Sequence, residues 1–542
     1  MTRVSDRIWR LSGARIGILA AGVFALVLAA CSSASPVIAP TEQAAAPEAV
    51  QPAVPTGGAA APATAPSTDN LKPLKTEPAK GFVGDQFTVS VEGLTPGQQV
   101  DLHWMAVEGA YVTKISPDSL EYIERTYTPK RVPLGRGVAD AQGRLNAGFP
   151  VPDDHGETHD IFAVVDGKDV AKGGFRILRT VAISPTEGPI GTPITITVKG
   201  MASSYYQSTM AVRWDNAYTG FISTVTTNGS AEAQVRAAGR PGEHTLQVYP
   251  ASHGVPYLNS HEGPNWHIFG HLPEKFVFKV TGDKGAPPAA IEWPENERVT
   301  KLTATSPRTT AGDTPPAIPA VMEPSSGPIL SETTLSAKSL PANTQVELVW
   351  VTVRGNRAST SGWSLDNISL DNARGQDASL GKATTGSDGS LQAKFQVPDD
   401  LGGWHTIRVV KDGNILTSAP YYVERRLEKA PPQRVKAGEQ FEVQMKGIGW
   451  TELDNGIAVT YDNAYVGYAC GFNSNGNITL YLTATGGTGT HLIDIYPMIY
   501  EGHANKQAFD FAIPQLTALR DNPGLGVGYR LPIFRTAIEV VD

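Results

Sequence analysis

Trp214-Asp-Asn-Ala-Tyr-Thr-Gly220 and Tyr461-Asp-Asn-Ala-Tyr-Val-Gly467 are one motif written twice, and the repetition organises the whole chain. In each, the Asp-Asn pair opens a turn and the aromatics alternate as they do on the arms of a β-hairpin. Working outward, Gly242-Glu243-His244 answers Gly489-Thr490-His491, Trp104 answers Trp350, Pro152-Asp153-Asp154 answers Pro398-Asp399-Asp400, and Glu77-Pro78 answers Glu323-Pro324. The offset grows by one residue between the two parts of each copy, and by a longer insertion between Tyr500 and Pro523. A duplication that accepts insertions in such gaps is a tandem array of β modules.

Inside each copy the hydrophobic period is two. Gln86-Phe-Thr-Val-Ser-Val-Glu92, Pro193-Ile-Thr-Ile-Thr-Val198, Gln345-Val-Glu-Leu-Val-Trp350 and Gln440-Phe-Glu-Val-Gln-Met445 alternate apolar with polar, as half-buried strands do. A four-fold pattern underlies the two-fold one: Gly143 with His159, Gly229 with His244, Gly389 with His405, and Gly476 with His491 each mark turn, strand, loop, strand. Asn228, Asp388 and Asn475 precede three of these glycines and predict tight hairpin turns. The arrangement resembles the bacterial immunoglobulin-like domains, in particular the IPT/TIG-type repeats of surface and envelope proteins. That resemblance implies an all-β chain of four immunoglobulin-like β-sandwich modules in two duplicated pairs. The modules are expected at 77–178, 179–283, 322–424 and 425–542. Disordered linkers are expected at the N-terminal side, residues 31–76, and between the copies, residues 284–321, where Ala, Pro, Thr and Ser dominate and little apolar surface is available to offset ordering entropy.

The N-terminus carries its own signal. Arg3, Arg7, Arg10 and Arg15 precede an apolar run from Ile16 to Ala30, too short for a comfortable membrane span and ending in Leu28-Ala29-Ala30-Cys31. This is the pattern of a signal peptide over residues 1–30. Its ending resembles the lipobox of bacterial lipoproteins, which implies lipidation of Cys31, export, and anchoring to the cell membrane or outer membrane, at the periplasmic side or the cell surface. Several acyl chains at about 0.8 kcal/mol per buried methylene would hold stably. The tether behind Cys31 would then let the modules stand on the order of 100 Å from the bilayer if extended.

Charge and cysteine content narrow the function classes. The formal net charge is −8 and becomes more negative without the four arginines of the leader, so no basic stripe is available to follow a nucleic-acid backbone. Of two cysteines, Cys470 has no partner once Cys31 is lipidated, so the modules rest on hydrophobic cores and the thiol is expected to be buried. No haem attachment pair, zinc ribbon, phosphate loop or nucleophile elbow stands in the sequence, so no cofactor and no catalysis are expected. Three residue sets merit weighing. His253, His261, His267 and His271 offer imidazoles to zinc or copper, although the second copy does not keep them. Asp153, Asp154, Asp399 and Asp400 offer paired loop carboxylates to calcium, or simply shape turns. Trp214, Asp215, Asn216 and Tyr218, with Tyr461, Asp462, Asn463 and Tyr465, form a hairpin or a ring-stacking surface for a sugar. His159, His244, His405 and His491 are expected to bond back to neighbouring loops, as a tyrosine corner does. The functional expectation is a non-catalytic, membrane-anchored envelope lipoprotein serving adhesion, scaffolding or the binding of an envelope protein. The alternative is a module for cell-wall or extracellular glycan, with metal handling or an enzyme-accessory role behind it.

Overall fold

The computed structural model describes residues 71–116, 119–204, 208–252, 254–256, 258, 274–282, 289–294, 318–354, 374–499 and 513–542. Cys31, the leader, most of the N-terminal tether and the histidines at 253, 261, 267 and 271 lie outside the described residues. Four β-sandwiches are present; in three of them a three-stranded sheet packs on a larger one, and in the first the strand Lys72–Glu77 pairs with both layers and joins them into one eight-stranded sheet. In the second module, for example, Thr180–Ser184, Pro193–Lys199 and Ala231–Arg236 face Thr209–Trp214, Ala217–Ser223, Gly242–Ser252 and Glu274–Val280. The alternation in the sequence is the cause. Along Pro193–Lys199, Ile194, Ile196 and Val198 are fully buried while the threonines between them are partly exposed. The fourth module repeats this at Phe441, Val443 and Met445. A β-bulge falls at the same place in all four modules, after Leu102, Val212, Leu348 and Val459.

The four-fold glycines are set by close approach rather than by hairpins. Asn228 and Asn475 do adopt positive φ, at 54° and 53°, but each links strands of opposite sheets, such as Ala217–Ser223 and Ala231–Arg236, so the expected two-residue hairpin is replaced by a crossing between layers. Gly143, Gly229, Gly389 and Gly476 each accept a backbone hydrogen bond from Leu94, Met201, Leu340 and Ile448. A Cβ on Gly143 or Gly389 would stand 2.2 or 2.3 Å from a backbone oxygen.

Two stretches assigned to linkers carry strands. Lys72–Glu77 pairs with Gln86–Val91 and opens the first module, because Leu74 and Thr76 alternate inward. From the central segment, Ala290–Glu292 joins the sheet of the fourth module beside Ile533–Val541, and Ala320–Glu323 opens the third. Module pairs are joined by a repeated contact: Gly156 donates to Met201 and Gly402 to Ile448. A Cβ on either glycine would strike a carbonyl oxygen of the next module at 2.2 or 1.8 Å.

Candidate functional site at the seam between the copies

Each module is pinned by an aromatic ring stacked on the repeated histidine. Trp104, Trp214, Trp350 and Tyr461 lie 4.7, 5.3, 4.7 and 5.4 Å from His159, His244, His405 and His491, with ring planes within 30° of parallel. The partner carboxylate comes from two sources. In the first and third modules it is the second residue of the Asp-Asp pair: the Trp104 indole donates to Asp154 at 2.8 Å and the Trp350 indole to Asp400 at 2.9 Å. In the second and fourth it is the aspartate of the repeated motif, Asp215 or Asp462, which meets Nδ1 of His244 or His491 at 2.5 Å. The other ring nitrogens reach backbone carbonyls four residues back, at Arg240 and Gly487, as those of His159 and His405 do at His155 and Leu401. Polar groups satisfied this way, buried in the first and third modules and partly exposed in the second and fourth, fix the loop that precedes each strand.

This geometry uses most of the candidate residues for packing. Asp154 and Asp400 are buried under tryptophan, whereas Asp153 accepts from Ser230 and Asp399 meets Lys446 at 3.3 Å, so the members of each pair face different partners. Asp215 and Asn216, like Asp462 and Asn463, have positive φ and close two-residue hairpins. Trp214 is a buried core residue. Tyr218 donates to the carbonyl of Gly254 and meets Tyr465 edge-on at 6.2 Å, and burial pushes the Tyr465 phenol up to about 12. Cys470 is half-buried at the end of an edge strand.

Tyr218 and Tyr465 mark a seam along which the second module packs on the fourth, a contact absent from the expected chain of pairs. Leu492, Tyr496, Leu516 and Ile533 of the fourth module enter the core of the second. At its centre lies a buried ion cluster. Arg236 and Arg535 both pair with Asp494, Arg535 also pairs with Glu292 at 2.6 Å, and the three central side chains are 6% exposed or less. Asn463 donates to the carbonyl of Arg236 at 2.7 Å. Burial pushes the Tyr496 phenol up to about 12, against the pull of Arg535 beside it.

The insertion of the second copy locks the seam. Its residues 513–522 run along the edge strand Ala217–Ser223, with Phe221 donating to Pro514 and accepting from Leu516. Asp521 then accepts from Val225 N, from Thr226 N and Oγ1, and from the Tyr111 hydroxyl at 3.1 Å. Tyr111 sits on Gln99–Ser116, which with Ser119–Val138 forms a long hairpin reaching out of the first module. Tyr122, on its returning arm, is buried with Trp404, Tyr422, Leu453, Tyr529 and Leu531, so the first module also grips the third and fourth. Gln99–Ser116 is far longer than the strands that the repeat predicts. The partners on the far side were not legible.

No protein-family model and no curated protein matches the sequence. Among solved structures, the chain is similar to a Salmonella alpha-2-macroglobulin mutant at 10% identity and a TM-score of 0.16, covering 86% of this chain and 30% of that one. It is thus aligned over less than a third of that protein's length. An ICAM-5 D1-D4 ectodomain fragment aligns at 11% identity and a TM-score of 0.17, covering 86% and 99%. The Yersinia pseudotuberculosis adhesin InvE aligns at 15% and 0.16, covering 45% and 71%. Likeness at this level carries no argument about function. The all-β, multi-sandwich architecture stands on the sheets themselves.

Proposed function

We propose that the chain is a non-catalytic envelope lipoprotein, anchored through Cys31 and serving as a rigid surface scaffold that holds an envelope partner or mediates adhesion. The observation that carries this reading is the seam. Four sandwiches are clamped by a buried ion cluster, a long hairpin and the inserted segment, and the aspartate and aromatic candidates among the described residues are used to hold the scaffold together. A body of this kind behind a tether presents fixed faces at a distance from the bilayer. Detergent phase partitioning of the full chain against Cys31→Ala tests the anchor: the parent should enter the detergent phase and the variant should remain aqueous or accumulate as precursor. Equal partitioning would overturn the anchoring. Photo-crosslinking from exposed positions on intact cells tests the scaffold role, which predicts one recurrent envelope partner that depends on the anchor.

A further inference from the structure

Two parts of this chain have no counterpart in the first copy: the strand Ala290–Glu292 from the central segment, and the insertion that carries residues 513–522. They converge. Between them and the second module lies a cleft of about 380 Å³, within the range of small-molecule sites. Trp293, the one aromatic residue between 284 and 321, forms one wall and is 38% exposed, with no hydrogen-bond partner for its indole among the described residues. Thr195, Glu232 and Gln234 of the second module line the opposite wall, Leu516 and Arg520 come from the insertion, and Glu292 and Arg535 sit at the base.

The charges decide what such a cleft would take. Arg535 is paired with Glu292 at 2.6 Å and Arg520 with Glu232 at 3.0 Å, so each guanidinium is matched by a carboxylate and no net charge recruits an ion. What remains is a dense set of donors and acceptors, with Gln234 and Thr195 bonded to each other at 3.3 Å, beside an open indole face and an apolar strip. A pyranose ring matches this: its axial C–H face stacks on indole, and its neutral hydroxyls donate to carboxylates while accepting from guanidinium and amide. We infer that the cleft walled by Trp293 is a subsite for a neutral saccharide unit, formed when the two copies close on each other. This site is distinct from the Trp214 and Tyr461 hairpins, whose rings are engaged in packing, and it stands whether or not Cys31 is lipidated.

The test uses the full chain in a detergent without a sugar head group. Calorimetric titration with chitobiose, cellobiose and maltose to about 10 mM should find saturable binding of at least one. Trp293→Ala should weaken it by about tenfold or more, and Trp293→Phe should keep it within about threefold. An unchanged thermal midpoint in Trp293→Ala would confirm that the exposed ring was removed without loss of fold. Absence of binding by all three sugars, binding indifferent to Trp293→Ala, or preference for the anionic sialyllactose would each overturn the proposal. So would tight binding of a proline-rich peptide in place of the sugars.

Discussion

Asp494→Ala should be among the most destabilising single substitutions in the chain. The carboxylate is 2% exposed and holds two guanidiniums at once, Arg236 from the first copy and Arg535 from the second. Arg535 keeps Glu292 when Asp494 is removed, but Arg236 is left with backbone carbonyls such as that of Thr536. Breaking a buried ion pair from one side typically costs about 3–5 kcal/mol, because the surviving charge has lost both its partner and its water. Little apolar area changes, so that term should dominate. Removing both charges, as in Arg236→Met with Asp494→Leu, should cost far less than the sum of the singles, since apolar replacement of a buried pair is often near neutral. Urea unfolding followed by hydrogen exchange at Ala231–Arg236 and Ile533–Val541 resolves whether the loss is local to the seam, which matters because a four-module body need not unfold in two states. A loss under about 1 kcal/mol for Asp494→Ala, or a double variant as poor as the summed singles, would refute the coupling across the seam.

Cleavage between the copies, in the Pro- and Thr-rich stretch at 295–317, should leave both fragments associated on size exclusion and separable only in denaturant; elution as two independent bodies would contradict the seam. Gly389→Ala should destabilise more than Gly413→Ala. Both have positive φ, worth about 1–2 kcal/mol, but a Cβ at 389 also stands 2.3 Å from the Leu340 carbonyl whereas nothing lies within 4 Å at 413, so equal losses in thermal unfolding would dismiss the close-approach argument. Burial holds the His155 imidazole below its ordinary value of 6.5, so the stability it contributes is present above that pH and is lost as pH falls through the folded value. His155→Leu, the residue that the second copy carries at 401, should flatten that acid-side loss in melts between about pH 4 and 7, and an unaltered pH profile would count against it.

The strands, the modules and the stacked histidines were legible because each rests on local periodicity or on a repeated residue. Ile194, Ile196 and Val198 announce one buried face, and His159 and its three counterparts each follow a glycine turn at nearly the same distance. What escaped the sequence was long-range and unrepeated. Asn228-Gly229 has the chemistry of a hairpin turn, and nothing local distinguishes a turn within a sheet from one that crosses between sheets. Ala290–Glu292 lies in Pro-rich surroundings that favour a linker, and it is a strand because Ile533–Val541 offers it an edge. Asp494 and Arg535 are cross-strand neighbours on successive strands, but Arg236 comes from a distant part of the chain and no spacing relates it to them.

The seam is built from residues that the duplication does not share. In strand register Gln247 stands where Asp494 does, Thr483 where Arg236 does, and Lys275 where Arg535 does. Had the ion set been present in both copies, each would carry a self-complementary face, and pairing with a neighbouring molecule would compete with closure inside the chain. Splitting it, with one arginine in the first copy and the carboxylate and second arginine in the second, makes the contact heterologous. Closure is then favoured by the high effective concentration of two copies on one chain. The insertion and the strand from the central segment add to the same asymmetry, since the insertion closes on the second module while the strand extends the sheet of the fourth. The cleft at this place is accordingly lined by residues of both copies, Glu232 and Gln234 from the first and Arg520 and Arg535 from the second.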